Sequence, residues 1–233
     1  MPQPLLALLS DLDGTLLDTE PLYFNSYVEA ALSLGKNWKD EQHVRCLLGK
    51  PQSVGISSFL EELGLTGRVT HDELLRLRDR VLLPSFSKAL ALPGAAGAIA
   101  CCQEAGMKLA VVTSSKRELV ALKSANERIM MDKFSLFVCC DDEGLAGKPG
   151  KPSPDCYLYA AAALGVAPSA CLCFEDSMLG IQAAVAAGCV VVAIPDPRLS
   201  LEDVKKAGPF MVLSSLEDFS LSNLLEQLNN QKV

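Results

Sequence analysis

The sequence predicts an α/β fold, a doubly wound parallel sheet with a small inserted α-helical domain. Three observations carry that expectation. Short, near-continuously apolar runs recur at strand length, as they must in strands buried on both faces. Helical patterns of crossover length separate them, which implies right-handed βαβ units. Residues 17–90 break this rhythm, with helical patterns and no convincing buried strand.

The elements follow in order. Residues 5–9 form the first strand candidate. Pro21 then sits at a first helical position behind Asp18 and Thr19, and Gly35 ends that helix. Thr70 and Glu73 read as a capping box ahead of Leu74, Leu75 and Leu77. The chain returns to the sheet near Leu92-Pro93-Gly94. Further strands are expected at 108–113, 136–140, 171–174 and 190–194, with a weaker one at 210–213. Between them, a helix at 154–164 stops at Gly165, and one at 178–187 starts behind the cap Ser177 and stops at Gly188. The expected division is a core of residues 1–16 and 91–233 around an insertion of 17–90. The polar end, 229–233, is expected to fray.

Composition limits the partners. Of 233 residues, 49% are hydrophobic and 21% charged, which is globular rather than disordered. A net charge of −7 argues against nucleic acid and anionic membranes, which need clustered Lys and Arg. The nine cysteines show no CxxC or Cys/His zinc spacing and read as reduced, buried thiols. Only His43 and His71 are present, both read as surface residues, so a Ser-His-Asp triad is disfavoured. Arg76, Arg78 and Arg80 share no helical face and read as solvated. With no basic leader and no apolar stretch of membrane length, a cytoplasmic protein is expected, and a monomer.

The chemistry gathers at three strand ends. The first strand leads into Ser10-Asp11-Leu12-Asp13-Gly14-Thr15. The strand at 108–113 leads into Thr113-Ser114-Ser115-Lys116, and the one at 171–174 into Glu175-Asp176-Ser177. In an open parallel sheet the strand C-terminal ends form the ligand crevice, so these groups can converge. Carboxylates beside hydroxyls and N–H groups suit a phosphate held around a hard cation. Asp11 can attack phosphorus as a nucleophile, and Asp13 can protonate the leaving oxygen and then activate water. Attack on a phosphate dianion needs a divalent cation between the charges. Asp11 and Asp176 offer oxygen ligands suited to Mg²⁺, and Zn²⁺ is a poor alternative without His or Cys ligands. Ser115 and Lys116 are further candidates to hold phosphate or substrate.

Asp11-Leu12-Asp13-Gly14-Thr15-Leu16 resembles the signature of the haloacid dehalogenase superfamily of phosphohydrolases. Thr113 resembles its second motif, Gly150-Lys151-Pro152-Ser153-Pro154-Asp155 its lysine motif, and Glu175-Asp176-Ser177 with Gly180 its fourth. The order and approximate spacing of all four are kept over most of the chain. The resemblance implies a Rossmann-like core with a helical cap inserted after the first motif. It also implies Mg²⁺ bound by the Asp11 carboxylate, the Asp13 main-chain carbonyl and Asp176, with Glu175 behind them. Thr113, the Ser114 N–H and Lys151 would hold the phosphoryl group. A cap over the crevice would make Glu20 and Lys50 candidates for substrate contact.

Two points stay open on the sequence. Lys148 and Lys151 both follow Gly and precede Pro; Lys151 is preferred because a helix start follows it directly. Asp18-Thr19-Glu20-Pro21 and Pro195-Asp196 look closest to the pseudouridine-5′-phosphatase and glycerol-phosphatase group. A phosphomutase of the β-phosphoglucomutase type is the alternative. It usually carries a histidine in the first cap helix, and none stands between Asp13 and Trp38 here.

Overall fold

A computed structural model describes residues 4–230. The chain forms two compact units, Thr19–Ala89 and a larger one built from the described residues on either side of it. In chain order the larger unit opens with β1 (Ala7–Ser10). The inserted unit contributes α1 (Glu20–Ser33), α2 (Asp40–Cys46), α3 (Gln52–Glu62) and α4 (His71–Ser85). The larger unit continues with α5 (Ala95–Glu104), β2 (Lys108–Val112), α6 (Arg117–Lys123), α7 (Arg128–Met131), β3 (Leu136–Val138) and α8 (Asp155–Leu164). It ends with β4 (Cys171–Glu175), α9 (Met178–Ala186), β5 (Val190–Ala193), α10 (Leu201–Lys206), β6 (Met211–Val212) and α11 (Leu221–Asn230).

The six strands form one parallel sheet in the order β3-β2-β1-β4-β5-β6. Ser10 lies level with Val111 of β2 on one side and Phe174 of β4 on the other. From β1 the chain runs outward through β2 and β3, then crosses to β4 on the opposite side. β1 is therefore the topological switch point, and the crevice opens at the C-terminal ends of β1, β2 and β4.

The period of two along each strand sorts the core into two layers. Leu8, Leu109, Val111, Leu172 and Phe174 face one layer, with Ile99 of α5, Met130 of α7 and Leu224 of α11. Leu9, Ala110, Val112, Cys173 and Val191 face the other, with Tyr157 of α8, Ile181 of α9 and Val204 of α10. Each fully buried Leu or Phe contributes ~1.5–3 kcal/mol of transfer free energy, so the strand cores are fixed more firmly than their ends.

Strand ends differ from the sequence expectation where side chains take over from the ladder. The third strand stops at Val138, because the Cys139 N–H donates to Asp142 Oδ2 at 3.0 Å and starts a turn. The fourth runs one residue further, to Glu175, whose carbonyl accepts from the Ile194 N–H at 2.8 Å. β6 is only two residues long. Asn229 and Asn230 belong to α11, and the rest of the polar end lies outside the described residues.

The inserted unit has its own core around Tyr27, Trp38, Ile56, Phe59 and Leu74. Its capping box is formed: the Thr70 N–H donates to Glu73 Oε2 at 2.8 Å and the Glu73 N–H to Thr70 Oγ1 at 3.2 Å. Two expectations for polar residues are corrected here. His43 is buried: the Trp38 indole donates to its Nδ1 at 3.4 Å, which leaves the proton on Nε2 to donate to Glu20 Oε1 at 3.0 Å. Arg78 is also buried, because Leu74, Arg78 and Leu82 share one helical face. Its guanidinium reaches Tyr27 Oη and Asp79.

Six of the nine free cysteines are buried, but Cys101 and Cys140 are exposed, contrary to the expectation of uniform burial. No helix among the described residues is long and apolar enough to cross a membrane.

Candidate active site

The first-strand loop owes its shape to its leucines. Leu12, Leu16 and Leu17 are fully buried, and the Leu16 and Leu17 N–H groups donate to the Leu12 carbonyl at 3.0 and 2.9 Å. This pins a tight turn with Gly14 at φ +79°, and turns Asp11 and Asp13 toward the crevice end of the sheet. A Cβ on Gly14 would stand 2.4 Å from Asp176 Oδ2, so only glycine lets the turn approach that carboxylate.

Lys151 ties three strand ends together. Its Nζ donates to Asp11 Oδ1 at 2.5 Å, Glu175 Oε1 at 2.6 Å and the Val112 carbonyl at 3.1 Å. It also lies 5.2 Å from the Tyr157 ring centroid, and the Tyr157 hydroxyl donates to the same Glu175 oxygen at 2.7 Å. The other Glu175 oxygen accepts from the Ser177 N–H and hydroxyl at 3.2 and 3.1 Å. Lys148 is exposed and pairs with Asp155 at 3.3 Å. Burial pushes the Asp11 carboxyl up to about 7; Lys151 opposes this, while Glu175 and Asp13 add to it. Burial would lower the Lys151 ammonium, but the Asp11 and Glu175 charges hold it above its ordinary value.

Asp176 completes the acidic group. Its Oδ1 accepts from Thr15 Oγ1 at 2.8 Å, and its carboxyl is raised well above the usual range by burial, then by the charges of Glu175 and Asp11. The donors suit a hard divalent cation, being carboxylate oxygens without nitrogen or sulfur. The charges suit it as well. Four carboxylates (Asp11, Asp13, Glu175, Asp176) face two ammonium groups, Lys123 and Lys151, leaving two negative charges when all are ionised. Among the described residues, the group whose ligand atoms all lie within 4.8 Å of one another is a different one, Cys139, Asp141 and Asp142. There Asp141 and Asp142 accept from Arg117, and Asp142 accepts from the Cys139 N–H, so they cap a turn.

At the end of β2, Thr113 is buried and its Oγ1 accepts from the Ser115 N–H at 3.0 Å. Ser114 and Lys116 are exposed. Ser115 departs from the expectation of a phosphate ligand, because its hydroxyl donates to Asp13 Oδ2 at 2.8 Å while its N–H is taken by Thr113. In the inserted unit Lys50 is exposed and donates to the Arg45 carbonyl at 2.6 Å, and Glu20 is paired with His43.

Sequence reasoning passed over three contributors, Thr15, Tyr157 and Lys123. Lys123 is fully buried, and its Nζ donates to both Asp13 oxygens at 2.7 and 2.8 Å. Its signal was helical spacing, since it lies three residues after Val120, the other buried residue of α6.

Comparison with known proteins converges on one family. The profile of the haloacid dehalogenase-like hydrolases matches residues 5–188. The chain is 34% identical to a protein of Drosophila melanogaster named "Probable pseudouridine-5'-phosphatase", over 90% of this chain and 89% of that one. It is 32% identical to a phosphorylated carbohydrates phosphatase of Thermotoga maritima, over 84% of this chain and 90% of that one. A solved β-phosphoglucomutase of Clostridium difficile shares the fold with a TM-score of 0.77 at 20% identity, covering 100% of this chain and 99% of that one.

Proposed function

The chain belongs to the haloacid dehalogenase-like hydrolases, and on that premise we propose that it is a Mg²⁺-dependent phosphatase of small phosphomonoesters that works through an aspartyl-phosphate on Asp11. Sugar, polyol and nucleotide-like phosphates are the substrate class, in keeping with the phosphatase names of its relatives. The observation that carries this reading is the Lys151 ammonium clasped between Asp11 and Glu175 at the switch point of the sheet. That arrangement fixes one oxygen of a buried carboxylate beside a preformed cationic group, which suits a nucleophile that must meet a phosphate anion.

In this reading Lys151, the Thr113 hydroxyl and the Ser114 N–H receive the phosphoryl oxygens. One Asp11 oxygen attacks phosphorus as Asp13 gives its proton to the leaving oxygen. Asp13, now ionised, takes a proton from the water that cleaves the acyl phosphate, and Asp11 is regenerated. Asp11, the Asp13 carbonyl and Asp176 would hold Mg²⁺, which would supply positive charge to offset carboxylate–phosphate repulsion. Nine unpaired cysteines suit the reducing cytoplasm, where we place the enzyme.

The test is release of inorganic phosphate from a panel of sugar, polyol and nucleotide monophosphates with Mg²⁺ present. Hydrolysis of at least one class, lost in Asp11→Asn, is the expected result. Isomerised sugar phosphate without phosphate release would replace hydrolysis by transfer, and activity retained in Asp11→Asn would remove the nucleophile.

A further inference from the structure

Lys123 is the one fully buried lysine among the described residues, and the reaction as proposed makes no use of it. It stands at the C-terminal end of α6, with a side-chain exposure of 0%. Its Nζ donates to Asp13 Oδ1 at 2.7 Å, to Asp13 Oδ2 at 2.8 Å and to Ser115 Oγ at 2.7 Å, while Ser115 Oγ donates to Asp13 Oδ2 at 2.8 Å. Lysine, serine and aspartate thus close a ring of short hydrogen bonds, most of them charge-assisted, with the ammonium out of reach of water. A dehydrated ammonium is costly unless fully paired. The ring therefore holds the Asp13 side chain in one orientation.

We propose that Lys123, acting with Ser115, is a positioning residue for Asp13. This rests on the phosphatase reading and on Asp13 as its acid and base. As the P–O bond to the leaving group breaks, the Asp13 proton passes to the leaving oxygen, and the carboxylate left behind is received by the Lys123 ammonium and the Ser115 hydroxyl. The same contacts then hold it, ionised and aimed, as the base that takes a proton from the hydrolytic water. In this role Lys123 acts through Asp13 rather than on the substrate or phosphorus.

Leaving groups separate this role from a structural one. An alkyl phosphate needs a proton on its departing oxygen, whereas p-nitrophenyl phosphate does not. We compare kcat/KM for p-nitrophenyl phosphate with that for the alkyl phosphate hydrolysed fastest in the panel, using Lys123→Met, Ser115→Ala, Asp13→Asn and Lys123→Met/Asp13→Asn. Lys123→Met is expected to lower the alkyl value more than ~10-fold and the nitrophenyl value less than ~3-fold, as loss of an interaction made at the proton-transfer step requires. Ser115→Ala should show the same bias to a smaller degree, and it decides the matter if Lys123→Met does not fold. In the Asp13→Asn background Lys123→Met should add nothing to the alkyl loss. Equal losses for the two esters, or additive losses in the double variant, would overturn the proposal. An Asp13→Asn variant without leaving-group bias would instead overturn the acid role of Asp13, a distinct result.

Discussion

The Glu175 carboxylate occupies the space where a side chain on Gly180 would begin. A Cβ built on Gly180 would lie 1.8 Å from Glu175 Oε1 and 2.1 Å from Oε2. The first turn of α9 thus passes directly against the carboxylate that anchors Lys151, and Ser177 fixes that turn by accepting from the Gly180 N–H at 3.0 Å. Gly180→Ala should displace Glu175, at ~1–3 kcal/mol for overpacking in a filled site. Activity should fall at least ~10-fold with it, because Lys151 loses its register on Asp11. Thermal melting and phosphate release check both; an alanine variant with unchanged kcat would mean that Glu175 moves without consequence.

The two lysines of the Gly-Lys-Pro repeats should behave differently. Lys151→Ala leaves Asp11 and Glu175 buried without their cation, a loss of about 3–5 kcal/mol for a broken buried pair. It should also reduce kcat by ~10²-fold or more through loss of transition-state contact. Lys148 pairs with Asp155 at the surface, so Lys148→Ala should stay within ~0.5 kcal/mol of wild type and change kcat only a few-fold. Chemical denaturation with steady-state kinetics on the two variants separates these outcomes.

Chelation should abolish turnover, and Mg²⁺ should restore it. Ca²⁺ should not, because it takes longer bonds and more ligands. Binding should also be visible without turnover. At 100 times its Kd, Mg²⁺ stabilises the folded state by ~2.7 kcal/mol, so melting temperature should rise with Mg²⁺ in the wild type. In Asp176→Asn the rise should vanish. A Mg²⁺-independent melting temperature in the wild type would count against the cation site.

The sheet was legible because its strands are buried on both faces and read as apolar runs, and its ends were less so. Val138 gives way to a turn that Asp142 holds from outside the strand, which no apolar pattern records. Asp11, Glu175 and Asp176 stand at strand ends, where polar residues after apolar runs attract notice, and Lys151 stood out through its motif and the helix start that follows it. Lys123, His43 and Arg78 escaped because polar residues inside helices read as solvated faces. Each in fact shares a face with buried residues of its own helix: Val120 for Lys123, Cys46 for His43, and Leu74 and Leu82 for Arg78. Tyr157 escaped because a tyrosine in an alanine-rich helix reads as core, and it is core; only its hydroxyl reaches Glu175.

The central claim is that Asp11 becomes phosphorylated, and trapping that acyl phosphate tests it most directly. Asp13→Asn with p-nitrophenyl phosphate is the system of choice, since the leaving group needs no acid while hydrolysis of the intermediate still needs the base. A burst of p-nitrophenolate approaching one equivalent per enzyme is expected. Quenching into borohydride and mapping peptides by mass spectrometry should then show homoserine in place of Asp11, as reduction of an aspartyl-phosphate requires. The same burst with Asp11 unmodified, or with the label on another residue, would contradict the claim.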